Sequence, residues 1–459
     1  MESIRKLRDP KERRAYGYIL SLMLPIIIQN LFNAAVNSVD VLMLNSVGQA
    51  SISAVSLANQ YSMVLVNVFN GVACGVSILA SQYWGKQDKQ AIEKVQGIAL
   101  RIAFIAAVLF GMPSIFIPQT MMRLFTNDPE LIAIGAQYLR ILGFGHLFWG
   151  ISQTCFATLR SMEQVKTGTI INVSTLLLNI FLNAVFIYGW FGLPKLGASG
   201  VAIATVIART VQFAACLYVS RRPGGVPLSI ASALKLDKVL FSDFVRVSLP
   251  ALANTVSWSM AFSMYSAILG HINADVVAAN SIVSVVRSFG TVLCWATSEA
   301  IGIYIGKDLG ANQMDKARAD AKRAIVLTIL SGILGGLVVL AIMPVALKVA
   351  ALSDMAKAYL KTMLLINSVY IMGTAVNSSL IGGLFRAGGD SRWGFICDLI
   401  DMWLYAVPLG FIAAFVFKWP PMVVYALLCT DEFVKWPWVI RHYKSEKWLR
   451  NITRPDCAR

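Results

Sequence analysis

Charge is what this chain has least of. Only 14% of its 459 residues are Asp, Glu, Lys or Arg, against 57% hydrophobic residues. A soluble protein of this length needs far more charge to cover its surface, so a water-exposed globular fold is excluded. Histidine is nearly absent: His146, His271 and His442 are scattered, and no HExxH, DDxxD, GxSxG or phosphate-loop string occurs. Without them the usual metal-hydrolase, serine-hydrolase and nucleotide-hydrolysing machinery is excluded, and neither enzyme activity nor a cofactor is expected. The seven cysteines form no CxxC pair and six fall inside apolar segments, which reads as small buried side chains, not disulfides or metal ligands.

Long apolar runs are what remains. Twelve stretches of membrane-spanning length lie near 16–44, 52–82, 96–120, 131–158, 167–190, 198–220, 242–270, 276–305, 322–350, 356–384, 393–416 and 421–440. They predict an all-α polytopic membrane protein. The net charge of +16 does not point to nucleic acid, because its placement follows the bilayer. Lys and Arg gather in the N-terminal stretch, in every second loop (Lys86 and Lys89, Arg160 and Lys166, Arg221 and Arg222, Lys307 and Lys316, Arg386 and Arg392) and at the C-terminus. By the positive-inside rule both termini are then cytoplasmic, in a multi-pass protein of the cell membrane. The basic N-terminal stretch precedes a segment too long and too polar-striped for a cleaved signal peptide, so that segment is expected to stay as the first span.

The chain also repeats itself. Leu24-Pro25 aligns with Leu249-Pro250, Ala58-Asn59 with Ala279-Asn280, and Leu159-Arg160 with Phe385-Arg386. Six spans per repeat predict two lobes, 1–225 and 226–459, inserted in the same orientation around a central cavity. The Arg221-Arg222-Pro223-Gly224-Gly225 segment marks the boundary. Pro25 and Pro250 each remove a helix hydrogen bond, and Pro25 is either a hinge or a fixed packing bend.

Asp40 is the most informative residue. Asn37, Asn33 and Asn30 precede it by three, seven and ten positions, so all four share one helix face. An ionisable group at mid-bilayer costs about 2.5 to 3.5 kcal/mol and persists where it has a partner, cavity or ion path. The alternative is an interfacial aspartate bonded to a neighbour. In the fifth span Asn172, Asn179 and Asn183 share a face, and Thr205 adds a hydroxyl from the sixth. One carboxylate with amide and hydroxyl oxygens suits a proton or a small monovalent cation, with sodium at Asp40 as the only metal to consider. Asn172 equally fits a helix-bridging role. Opposite Asp40 in the repeat stands Tyr265. The second half carries its acids elsewhere: Glu299, Asp398, Asp401, Asp431 and Glu432, with Arg287 and Lys435 near in sequence or depth. They read either as a second proton or substrate-cation site or as buried ion pairs that lock the lobe. Arg209, one turn past Thr205, is expected to pair with an acid or with backbone carbonyls and to point away from Asp40.

In order and in the expected spans, the early aspartate, Ala54-Val55-Ser56-Leu57-Ala58-Asn59-Gln60, Ser81-Gln82-Tyr83-Trp84-Gly85 and Gly197-Ala198-Ser199-Gly200-Val201-Ala202-Ile203-Ala204-Thr205 make the chain resemble the multidrug and toxic compound extrusion family along nearly its whole length. The resemblance implies export of bulky, often cationic, organic compounds in exchange for sodium ions or protons. It lies closer to the DinF-like branch, whose first-lobe cation site maps onto Asp40, Asn179, Asn183 and Thr205. Asn183 stands where some relatives have an acid, which weakens the case for tight sodium binding. Spans seven and ten lack acids apart from Asp243 at the margin, so the second-lobe site of the NorM-like branch is expected to be absent. The expected partners are small organic substrates and the lipid bilayer, with the chain acting as a monomer. The rival reading is a flippase for a lipid-linked sugar or peptidoglycan precursor, which would call for several cavity-lining Arg or Lys to hold pyrophosphate.

Overall fold

A bilayer leaves no water for an unpaired peptide group, so uninterrupted apolar runs have to become helices. The computed structural model of the protein describes residues 10–454 except Ser46, Ile230, Ala231, Ala233, Leu236 and Ala351; within the first helix the side chains of Lys11, Asn37, Ser38, Asp40, Val41, Leu42 and Asn45 also lie outside the description. Every element among the described residues is helical.

The first half contains α1 (Pro10–Asn45), α2 (Gln49–Gly85), α3 (Lys89–Phe116), the short α4 (Pro118–Arg123), α5 (Pro129–Ser161), α6 (Val165–Tyr188) and α7 (Gly197–Ser220). The second contains α8 (Lys238–Gly270), α9 (Ala274–Gly310), α10 (Met314–Val349), α11 (Asp354–Asn377), α12 (Ser391–Leu399), α13 (Val407–Phe411), α14 (Pro421–Leu428), α15 (Asp431–Val434) and α16 (Trp436–Lys444). Caps set several starts: the side chains of Asp88, Asp128, Asn273 and Ser353 accept from the backbone N–H of Ala91, Glu130, Asp275 and Ala356. The end of α6 needs a left-handed residue, and Gly189 supplies it with φ +73°.

Eleven of the described helices are long and apolar enough to cross a membrane. The twelfth expected segment, 421–440, is broken into α14, α15 and the start of α16. The physical reason is its charge: Asp431, Glu432 and Lys435 are all buried there, and the chain bends to bring them to partners. A second departure lies in the preceding spans, where π-helical turns run through Ser378–Phe385, Ile400–Ala406 and Ile412–Val416. Such turns insert a residue into the helical ladder and re-aim the side chains around them. Pro25 and Pro250 lie inside α1 and α8, which continue through them.

The chain forms two compact units. One comprises Ile28–Trp84 and Asp88–Ser248; the other comprises residues 10–27, Gly85–Gln87 and Leu249–Arg454. The divisions thus fall inside α1 and α8, close to their prolines. In the first unit Leu44, Tyr61, Leu139, Ile187 and Val201 pack into one core, and Phe69 meets Trp149 edge-on at 5.5 Å. In the second, Tyr265, Val283, Leu364, Ile371, Met402, Tyr425 and Leu428 pack into one cluster. Contact between helices in lipid rests on such close packing and on polar bonds, since lipid tails are as apolar as the side chains. The beginning of α1 belongs to this unit through polar anchors: Arg323 grips the Glu12 carboxylate at 2.6 and 2.8 Å, and Lys307 donates to the Tyr18 hydroxyl at 3.2 Å.

Candidate functional site

In the first unit the sequence-predicted residues of α6 and α7 come together. Asn179 and Asn183 are one turn apart on α6 and buried. The Asn183 amide donates to Asn179 Oδ1 at 3.3 Å, the Asn179 amide donates to Thr205 Oγ1 at 3.4 Å, and the Thr205 hydroxyl donates to the Val201 carbonyl at 2.8 Å. Leu44, one turn beyond Asp40, packs in the same core cluster as Ile187, Ala198 and Val201. The side chains of Asp40 and Asn37 lie outside the described residues, and Asn30 and Asn33 are half-buried on α1. The two amide bonds are long and neutral, so exchanging one for a bound ion costs little.

Asn172 does not join this chain of bonds. It lies nearly two turns earlier on α6, next to Thr175, whose hydroxyl accepts from the Gln212 amide at 3.3 Å. Asn172 Oδ1 is buried without a hydrogen-bond partner among the described residues. The expectation that Arg209 pairs with an acid or with carbonyls does not hold. Its guanidinium lies 4.4 Å from the centre of the Trp149 ring, so the face of an indole meets the charge. Close by on α5, His146 is fully buried with neither ring nitrogen bonded among the described residues.

The second unit holds a denser polar group. Lys435 is 0% exposed, and its ammonium lies 3.0 Å from Asp398, 3.2 Å from Glu432 and 3.5 Å from Asp401. Asp398 also accepts from the Asn254 amide at 2.8 Å and the Trp258 indole at 3.2 Å. Glu432 accepts from Asn377 and, at 3.4 Å, from Thr374, while Tyr265 donates to Asp431 at 3.1 Å. Arg386 extends the network by donating to Asn254 Oδ1 at 2.8 Å. Four of the five predicted acids are therefore gathered around a single buried amine. Glu299 is half-buried on α9 and is not among the three acids within 4 Å of Lys435. Arg287, the other predicted base, lies 4.8 Å over the Phe262 ring. The charges in the group therefore do not cancel one for one.

Sequence reading missed Asn254, Trp258, Thr374 and Asn377 as partners. A signal for Asn254 was present: it follows Pro250 by four residues, as the polar Gln29 follows Pro25.

The MatE family model matches residues 25–185 and, a second time, residues 250–412. Among curated relatives, the probable multidrug resistance protein YoeA of Bacillus subtilis is 24% identical over 396 residues, covering 85% of each chain. The multidrug resistance protein PmpM of Pseudomonas aeruginosa is 24% identical over 404 residues, covering 86% of this chain and 83% of its own. Among solved structures, the Vibrio cholerae MATE transporter VcmN in its bent form superposes with TM-score 0.84 at 17% identity, covering 96% of this chain and 100% of its own. A MOP superfamily transporter from Pyrococcus furiosus, for which a reversed binding-pocket polarity is described, gives TM-score 0.84 at 19% identity over 97% and 99%.

Proposed function

Because the chain belongs to the MatE family, whose model matches it once in each half, we propose that it is an antiporter that exports bulky, often cationic, organic compounds in exchange for a proton or sodium ion. It is a multi-pass membrane transporter and not an enzyme; the coupling ion and the exported class are what the proposal adds. The observation that carries it is the bonded set Asn183, Asn179 and Thr205, on the helices whose core also takes in Leu44, one turn past Asp40. Multidrug resistance relatives such as YoeA and PmpM support the substrate class.

In this reading residues 1–225 and 226–459 act as repeat lobes in the cell membrane, with both termini cytoplasmic and one chain sufficient. Facing outward, Asp40 takes up the ion, with the amides and the Thr205 hydroxyl completing its shell. Ion and drug occupy the protein in turn, so ion uptake outside releases the drug there and favours the inward-facing state. One charge moved through 100 mV supplies about 2.3 kcal/mol, roughly a fifty-fold gradient for a neutral substrate. The flippase reading gains nothing from Arg209, whose guanidinium lies against Trp149.

The test is export of a fluorescent organic cation from energised cells or inverted vesicles, wild type against Asp40→Asn, with the sodium and proton gradients varied separately. Loss in the variant and dependence on one gradient are expected. Full export by a well-expressed Asp40→Asn protein would sink the reading.

A further inference from the structure

A cavity of about 430 Å³ lies in the second unit between α12 and α16, and its lining takes in neither Lys435 nor the acids around it. Its wall is apolar, built from Trp393, Ile396, Ile400 and Trp438, and its rim is basic, with Arg441 and Lys447. Ile396 and Trp438 are 43% and 48% exposed, so the apolar side opens outward. The geometry points to a site for a phospholipid with an anionic headgroup, its phosphate between Arg441 and Lys447 and its acyl chain along Ile396 and Ile400.

Three observations converge on this occupant. First, the groove is built, not a passing gap. Trp393 stacks on His442 at 4.0 Å with the rings 10° apart, and His442 bonds Asp390 at 2.9 Å. A side chain at Gly388 would run into the Trp448 carbonyl, so the chain after α16 is held tightly against the turn before α12. Second, the nearby acids are already used. Asp390 takes His442 and Arg450, and Glu446 takes Arg318 at 2.7 and 2.9 Å. Arg441 and Lys447 are exposed, and neither side chain has a partner among the described residues. The rim therefore keeps its positive charge. Third, indole rings beside basic residues at the end of membrane-crossing segments match the headgroup layer of a bilayer, and the charge pattern of the sequence places this end at the cytoplasmic, anionic leaflet. A soluble anion would leave the apolar wall uncovered, and an uncharged lipid would leave the rim unanswered.

The experiment is retention of lipid by the detergent-purified full chain, read by native mass spectrometry, with phosphatidylglycerol and phosphatidylcholine offered as an equal mixture. Each basic side chain near an anionic lipid contributes about a fivefold preference, so the wild type should retain phosphatidylglycerol about 25-fold over phosphatidylcholine. The Arg441→Gln/Lys447→Gln variant should lose that preference. Brominated-chain phosphatidylglycerol should quench wild-type fluorescence more than that of Trp438→Phe, a reading that stands even if the double variant folds poorly. Equal retention of both lipids, an unchanged preference in the double variant, displacement by glycerol phosphate alone, or pairing of two chains through this face would each overturn the assignment.

Discussion

The two halves of this transporter repeat one plan and charge it in opposite ways. With Arg160 aligned to Arg386, residues Asn172, Thr175, Thr205 and Arg209 of the first half fall opposite Asp398, Asp401, Asp431 and Lys435 of the second. With Pro25 aligned to Pro250, Asp40 falls opposite Tyr265, and Tyr265 donates to Asp431. In the proposed reading the first half puts its acid on the first span, with the Asn179, Asn183 and Thr205 groups as its shell. The second puts its acids on the later spans and faces them with a phenol, an indole and an amine. Neutral bonds of 3.3 and 3.4 Å are easy to exchange, whereas a buried amine with carboxylates at 3.0, 3.2 and 3.5 Å is costly to open. The division of labour that the proposed function implies is a first half that swaps an ion and a second that stays shut.

The sharpest way to break this comparison is to neutralise one acid in each half. Asp40→Asn should abolish coupled export at unchanged expression. Asp401→Asn should leave export within about twofold and stability unchanged or raised, because it removes one acid from a group in which four face a single amine. Export measured side by side decides it. If Asp401→Asn abolishes export in a stable protein, the second half also works in transport.

Next in size is Lys435→Met, which strands buried carboxylates without their amine. Breaking a buried ion network by removing one partner costs about 3–5 kcal/mol. Thermal unfolding in detergent should show that loss, and a variant as stable as wild type would mean that the group is not a lock.

Much of this contrast was legible beforehand. The spans, the repeat and the shared face of Asn179 and Asn183 follow from hydropathy and helical spacing, because both are local properties of sequence. Buried ion pairs with Lys435 were one of two readings, but which acids reach the amine was not legible, since the broken twelfth segment and the π-turn at Ile400–Ala406 aim side chains in ways that 3.6-residue spacing does not foresee. Arg209 and Lys435 occupy equivalent places in the repeat, yet one meets Trp149 and the other three carboxylates. The repeat told where a buried cation sits; only the surroundings told what answers it.

A smaller effect sharpens the first-half side. Thr205→Val removes the oxygen that accepts from Asn179 and leaves the amide without that bond. A lost bond of this kind is worth about 1 kcal/mol, or about fivefold in ion affinity. The half-saturating concentration of the coupling ion for export should rise by that factor, and Thr205→Ser should restore it. No change in either variant would remove Thr205 from the ion's shell.

The smallest effect tests whether burial, and not the number of charges, makes Lys435 matter. Asp390 sits in the turn between two spans of the same half, with His442 at 2.9 Å and Arg450 at 3.3 Å. Burial pushes its pKa up, but the hydrogen bond from His442 and the positive charges of His442 and Arg450 outweigh that and hold it below the ordinary carboxylate value. A carboxyl with a depressed folded pKa contributes stability that is present above its unfolded pKa, near about 3.9, and is lost as pH falls through the folded value. Asp390→Asn should therefore lower the melting temperature modestly at neutral pH, and the gap to wild type should close as the pH drops below about 4. The same measurement on Lys435→Met, run at neutral pH, should give a several-fold larger drop. Equal drops would mean that water at the end of the helices moderates these charges no more than the helix interior does, and the contrast between an exchangeable site and a locked one would then have to rest on the bonds alone.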